Sequence, residues 1–446
     1  MSNTIPLKTV YASEFQRTHF KKAVFPLFSD MRFESVLTSG STLDWSYDDD
    51  AVADSLSTGD GYTIGDKTIT SETLTVDQKP SHGFRIQNTQ KIQDHRPTQQ
   101  KWARKSMNVI FQKIDGDILK DLRDGATTTL DNSYFGGNAG DPITVTSGNA
   151  ASIFTTAQAI LTNNNVIYDE NKAFANDVKL DGGERFPCAA IPAELRAQLL
   201  LQSGFKSTDY ADSVMKSGYM GPMFGFNAIC STSLPFSFRL TETSTPVNGK
   251  KLVLGGTISA TTTIGTANAA VAINWVTTIG STAGNVLAVT NATTSVTNLV
   301  ALLNDPYGTT TANKVVFVRA NLSTSQKRIL DNVSAVDNLD GSCVITIKGY
   351  GTRPVATDET TGTIDRQTVH AIFGVSKSIA VVMQKTPELM ESAGELITTG
   401  ELTGYVGKHF LAFALYGKKV FKTHGPQIIN VKIDASLFSA PASIIN

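Results

Sequence analysis

Between Ala103 and Leu122, apolar residues recur at every third or fourth position: Ala103, Met107, Ile110, Ile114, Ile118 and Leu122. That spacing lines them up on one stripe of a 3.6-residue helix. Lys105, Lys113, Asp117, Lys120 and Asp121 take the other face. Pro97 suits a first helical turn, where its missing N–H is not needed. Gly125 suits the residue just past a helix end, where a left-handed backbone is common. The pattern therefore predicts a helix over 97–124, about 40 Å long at ~1.5 Å per residue. Gly116 in its middle costs roughly 1 kcal/mol relative to Ala, so a close contact or a bend is expected there.

The pattern before the helix is different. Tyr62–Ile64 and Thr68–Thr70 are β-prone, and Thr73-Leu74-Thr75-Val76 alternates, as a half-buried strand does. Turn signals fall at 57–61 and at Gly65-Asp66. Further upstream, Phe15, Phe20, Phe25, Phe28 and Phe33 load residues 1–35 with apolar surface, and Ser13 can cap a short helix there. After the long helix comes a Gly- and Asn-rich loop, then a helix over 151–161. A buried strand over 185–191 leads through Pro192 into another helix carrying Leu195 and Leu199.

From about Thr241 to Ile364 the composition shifts to Thr, Ala, Gly, Asn and Val. Strands are expected at 251–254, 271–276, 286–289, 315–318 and 344–347, with one helix from Ser295 to Leu303. These predict a compact β-rich domain over 241–368. Residues 245–362 alone are expected to unfold cooperatively. Apolar strands return at His370–Val375, Ile379–Gln384, Phe410–Tyr416 and Ile428–Ile433.

Specific words accompany these patterns: "LTVDQK" and "GFRI" before the long helix, "ID..IL" within it, strand–Pro–helix at 185–200, "GYMGPMFGFNAICSTSLP" at 218–235, then "AVVMQ" and "LYGKKV". In this order they resemble the major capsid proteins of tailed bacteriophages, the Hong Kong 97-type fold. The likeness spans roughly 36–240 and 369–433. It implies an α+β chain with an N-terminal arm (1–35), an E-loop hairpin region (36–90) and a peripheral P domain (91–185) holding the spine helix 97–124. An axial A domain follows (186–240 and 369–415), interrupted by the inserted β-rich domain (241–368). The P domain then returns at 416–446, and a helix is expected between Gln384 and Phe410. Also implied is a structural, non-enzymatic protein of the virion, assembled in the host cytoplasm. It would form hexamers and pentamers of an icosahedral shell around double-stranded DNA that is not read in sequence, with a scaffolding protein and a portal as partners. Subunit-interface candidates on this view are Tyr62, Lys67, Lys79, Arg85, Gly218, Tyr219, Gly221 and Tyr416. No Asn or catalytic carboxylate can be matched to Lys67 or Lys79 for an isopeptide cross-link.

Composition is compatible with a container. There are 39 Lys and Arg against 40 Asp and Glu, a formal net charge of −1. A protein whose main task is gripping nucleic acid through a basic surface carries more positive charge. Charged residues are 18% of the chain, below the usual ~25%, which suits extensive subunit contacts and equally a large β-rich monomer. No run of about 18 apolar residues marks a membrane span, and the N-terminus lacks the basic-then-apolar order of a secretory signal. Cys188, Cys230 and Cys343 are widely separated and odd in number, which argues against a disulfide framework and fits a reducing compartment.

Candidate chemistry is sparse. The six histidines form no H-x-x-x-H pair. Gly218, Gly221 and Gly225 lack phosphate-loop spacing, and Asp48-Asp49-Asp50 lacks the spaced ligands of a calcium loop. No metal or cofactor is therefore expected. His82 and His95 flank the strap before the helix and are positioned to feel pH. Three other readings remain: an encapsulin-type shell around a protein cargo, a β-rich tail or adhesin protein, and an enzyme with an unrecognised site.

Overall fold

The computed structural model describes residues 23–37, 40–48, 69–87, 98–164, 166, 186–201, 222–255, 270–289, 291–349, 355–357, 362–393 and 407–435. A 3-10 turn at Phe25–Leu27 leads into the short strand β1 (Ser29–Asp30). Next come β2 (Thr42–Asp48), β3 (Ile69–Gln78) and β4 (Ser81–Gln87), with Lys79-Pro80 between the last two. The long helix α1 is Thr98–Gly125. It is followed by β5 (Thr128–Leu130), α2 (Ala150–Asn163), β6 (Pro187–Ile191) and α3 (Ala193–Leu200), for which Pro192 is the N-cap. Then come β7 (Pro222–Met223), β8 (Phe226–Cys230) and β9 (Phe236–Glu242).

The Thr- and Val-rich stretch contributes β10 (Lys251–Leu254), β11 (Val271–Val276), β12 (Asn285–Leu287), α4 (Ala292–Asn304), α5 (Thr324–Leu330), β13 (Val333–Asp337), β14 (Ser342–Ile347) and β15 (Val355–Thr357). The chain then runs through β16 (Gly362–Val375), β17 (Ile379–Ala393), β18 (Gly407–Lys419) and β19 (Ile428–Asp434). Mixed sheets and helices make this an α+β fold, as expected.

Three sheets organise the described residues. The largest runs β13-β14-β9-β16-β6-β8-β7, with β19 on β16 and β5 on β19. A second runs β1-β17-β18-β3-β2, with β4 also on β18. The third is β12-β11-β10-β15. α1 lies between the first two. Its Ile110, Ile114, Ile118, Leu119 and Leu122 share one core with Phe236, Phe238, Ile345 and Ile372 of the largest sheet and with Val381, Ala414 and Tyr416 of the second. α2 and α3 cover the other face of the largest sheet, around Phe154, Leu195, Phe226 and Phe373. With both faces covered, β16 reads as the continuous buried run Thr368–Val375 rather than as an alternation.

The sandwiching of α1 changes its expected pattern. Six consecutive residues, Ile114 to Leu119, are buried. Asp117, expected on the polar face, is therefore inside. Gly116 is not tightly enclosed: a Cβ there would stand 3.9 Å from the Lys348 Cβ, an ordinary contact. Gly125 is the last helical residue and has no positive φ. Its small size has another cause, because an added Cβ would come within 2.6 Å of the Val420 Cβ.

Four further expectations change. Val315–Val318 is not a strand; beside the bridge between Val286 and Lys314, only Val315 of the four exchanges backbone hydrogen bonds with 284–285. The strand expected over 379–384 continues to Ala393 across two register shifts, and the helix expected before Phe410 falls on 394–406, outside the described residues. The boundary placed at 241 falls inside one sheet, since β14 pairs with β9 from Ser342↔Thr241 to Ile347↔Phe236. The boundary placed at 415/416 falls inside β18.

Candidate functional site

Ser–Thr alternation in β3 and the aromatic pattern of β2 produce a two-stranded ribbon, paired from Thr42↔Thr75 to Asp48↔Ile69. Its base is apolar. Leu74 and Val76 pack with Leu37, Ala380, Val382 and Phe421. Trp45 meets Phe421 edge-on at 4.8 Å between ring centroids and Phe33 at 5.1 Å. The Lys422 amide donates to Glu72 Oε2 at 2.9 Å, and Lys419 Nζ donates to the Thr73 carbonyl at 3.0 Å. Away from the base, Ile69, Thr70 and Ser71 are all exposed, on both faces of the strand. Ile69 is 71% exposed. A two-stranded ribbon without a core is marginal by itself, so this one is held at its root and offers its far end outward.

The root is fixed to α1 by buried carboxylates. Asp115 Oδ1 accepts the Val24 and Phe25 amides at 2.7 and 2.8 Å, capping the turn that begins the described chain. Asp117 Oδ1 accepts Lys348 Nζ at 2.7 Å, and its Oδ2 accepts the Tyr416 hydroxyl at 3.1 Å. Lys418 Nζ donates to the Asp117 carbonyl at 2.9 Å and pairs with Asp121 at 2.8 Å. Burial alone would raise the Asp117 pKa, but Lys348, Lys418 and Lys113 together hold it below the usual carboxylate range. The sequence carried a signal for this hub, since Asp117 follows Ile110 and Ile114 at the spacing of the buried stripe. The partners on Lys348 and Tyr416 are too distant in sequence for any local pattern to supply.

The interface candidates divide accordingly. Tyr62, Lys67, Gly218, Tyr219 and Gly221 lie outside the described residues, as do His95, Asp49 and Asp50. Lys79 is exposed in the link between β3 and β4. Arg85 lies on β4 opposite His409 of β18. Tyr416 is a correction: it is fully buried and bonded to Asp117. It acts within the subunit, because β18 is a central strand packed on α1.

Two histidines and two cysteines among the described residues also have shifted titration. His370 bridges Ser237 on β9 and Asn430 on β19, at 2.8 and 2.9 Å. Burial, aided by Arg123, pushes its pKa down to about 3, so the ring is neutral. His82 Nδ1 sits 2.9 Å from Ser106 Oγ, and partial burial with Lys105 nearby lowers its pKa. Burial raises the Cys188 thiol well above its usual range and pushes Cys343 up to about 12, as for inert core thiols. Among the described residues, no group of three His, Cys, Asp or Glu side chains is placed to hold a metal ion. No described helix is long and apolar enough to cross a membrane.

No protein-family profile matches the chain, and no curated protein does. Solved structures similar to it include that of Mycobacterium phage Che8, at 12% identity and a TM-score of 0.49, covering 96% of this chain and 97% of that one. The capsid asymmetric unit of cyanophage Pam1 is similar at 10% identity and a TM-score of 0.48, covering 96% and 97%. The capsid of cyanophage P-SCSP1u is similar at 10% identity and a TM-score of 0.47, covering 96% and 93%.

Proposed function

We propose that this chain is the major capsid protein of a tailed bacteriophage, a shell subunit of the Hong Kong 97-type fold that self-assembles around double-stranded DNA. The observation that carries the reading is the ribbon of β2 and β3. Its root is bolted by aromatic and ionic contacts, while its outer end exposes both faces, including Ile69. Such an element is stabilised when a neighbouring copy covers it. The 28-residue helix α1, held between two sheets, supplies the stiff frame from which it projects. In this reading the copies form hexamers and pentamers, and many modest contacts act together to make a durable wall. The task is structural rather than catalytic. A scaffolding protein and a portal follow from the same reading, with assembly in the host cytoplasm.

Negative-stain microscopy of the purified full chain over a concentration series tests this. Closed shells or hexamer-patterned sheets are expected. Ile69→Asp should leave the subunit folded, by circular dichroism and melting, while abolishing particles. Equal particle yield from the variant would overturn the role of the ribbon. Persistent monomers of the unsubstituted chain, even with co-expressed phage scaffold, would overturn the capsid reading.

A further inference from the structure

Five arginines among the described residues pair with aspartate: Arg32 with Asp30, Arg123 with Asp124, Arg239 with Asp365, Arg319 with Asp331 and Arg366 with Asp141. Arg104 and Lys105 differ from these. Both are exposed on the first half of α1, and among the described residues neither has a carboxylate partner. The only charge interaction shown there is repulsive, Lys105 on His82. No Asp or Glu occurs from Thr98 to Ile114, although Lys101, Arg104, Lys105 and Lys113 do. The acids of the helix begin at Asp115, and Asp117, Asp121 and Asp124 are taken by cations of the subunit itself.

At 100° per residue, Arg104, Lys105, Asn108 and Gln112 fall on one face of α1, spread over about a third of its circumference. Asn108 and Gln112 are half-buried. Trp102 borders this face at 41% exposure, its ring edge-on to Phe84 at 5.7 Å. Lys101 stands three and four residues before Arg104 and Lys105, and like charges at that spacing repel along a helix. The basic residues of this face are therefore left without a compensating acid on their own stretch of helix.

We infer that this basic face of α1 binds the phosphate backbone of duplex DNA, without reading sequence. The inference rests on the shell reading, in which duplex DNA is the cargo. It adds that the wall touches the cargo at a defined place. The side chains fit that ligand: a guanidinium and an ammonium for phosphate charge, with the Gln112 amide beside them, Asn108 Nδ2 donating to the Arg104 carbonyl at 2.8 Å, and no acidic group among them.

The test is fluorescence anisotropy of a labelled 20-base-pair duplex titrated with the full chain at several salt concentrations. Each phosphate contact contributes about 0.9 to the slope of log K against log salt. Arg104→Gln/Lys105→Gln should therefore flatten the slope by about 2 and weaken binding at low salt about tenfold. Lys250→Gln/Lys327→Gln, which removes equal charge elsewhere, should leave the slope unchanged. An unchanged slope in the first variant, or equal loss in the second, would overturn the inference. So would polyglutamate competing with the duplex at equal charge concentration, which would mark an acidic protein segment as the occupant. Melting of each variant verifies folding. Microscopy of the same samples separates the two ideas: particles with an unchanged salt slope would sink only the DNA contact.

Discussion

Removing the Asp117 carboxylate should be among the most damaging single changes to this subunit. Asp117 is 3% exposed and joins three parts of the chain: α1, the return strand β18 through Tyr416, and the 241–368 region through Lys348. In Asp117→Ala the Tyr416 hydroxyl, itself fully buried, loses its acceptor, at a cost of about 1–3 kcal/mol. Breaking a buried ion pair on one side costs about 3–5 kcal/mol. The Lys348 side chain keeps 25% of its exposure, so hydration recovers part of that, and the net loss should be about 3 kcal/mol. Tyr416→Phe alone removes one donor to an ionised carboxylate and should cost about 1.5–3 kcal/mol. The double variant should lose less than the sum, because without the hydroxyl the missing carboxylate leaves no stranded donor. The assay is urea denaturation of dissociated subunits, followed by tryptophan emission and by hydrogen exchange in α1 and β18. A loss below about 1 kcal/mol for Asp117→Ala, or strict additivity in the double variant, would refute the idea of a shared hub. Asp117 also has a lowered pKa. Its contribution is therefore present above the ordinary carboxylate pKa and is lost as the pH falls through the folded value.

Two glycines of α1 should respond in opposite directions. Gly116→Ala meets only ordinary contacts and should stabilise by up to about 1 kcal/mol, whereas Gly125→Ala drives a methyl into Val420 and should cost about 1–3 kcal/mol, both read from urea midpoints. His370 stays neutral in the fold down to about pH 3, while the unfolded chain protonates it below about 6.5; subunit stability should therefore fall between those values by about 1.4 kcal/mol per pH unit. That slope should vanish in His370→Asn, and its persistence would assign it to other groups. A fragment starting at residue 236 and ending at 362 should melt higher than one starting at 245, because only the longer one retains β9 beside β14; equal melting would restore the boundary at 241.

Periodicity carries furthest where one face of an element meets one neighbour. The stripe of α1, the alternation of Thr73–Val76 and the apolar runs of β16 and β19 were legible for that reason. Burial on both sides defeated the pattern at Asp117, since a helix between two sheets has no fixed polar face in its middle. Val315–Val318 is apolar because it packs, with Val315 and Phe317 buried, while its backbone pairing stops at Val315. The strand expected to end at Gln384 runs on to Ala393 because β18 lies alongside as a partner. Conversely, α5 escaped notice in a Thr–Ser–Gln–Lys–Arg stretch, although its Ser323–Gln326 capping box is a local signal. The ribbon root was only half visible: Leu74 and Val76 show in the alternation, but Trp45 on Phe421 joins residues far apart in the chain.

These contacts also indicate how the subunit bears load. The ribbon joins the second sheet through Tyr416↔Gln78 and Gly417↔Val76 on β18, and at Gly417 an added Cβ would stand 2.6 Å from the Thr75 carbonyl. On its α1 side, β18 is tied through Tyr416 and Lys418 to Asp117 and Asp121. The opening turn at Phe25–Leu27 is tied to Asp115 on the same helix. A pull on the ribbon therefore reaches the middle of α1 through backbone pairing and buried charge, and from there both large sheets through one continuous core. A subunit that meets its neighbours through a thin projection needs that projection rooted in its stiffest element. Here the buried acids of a single helix provide the root.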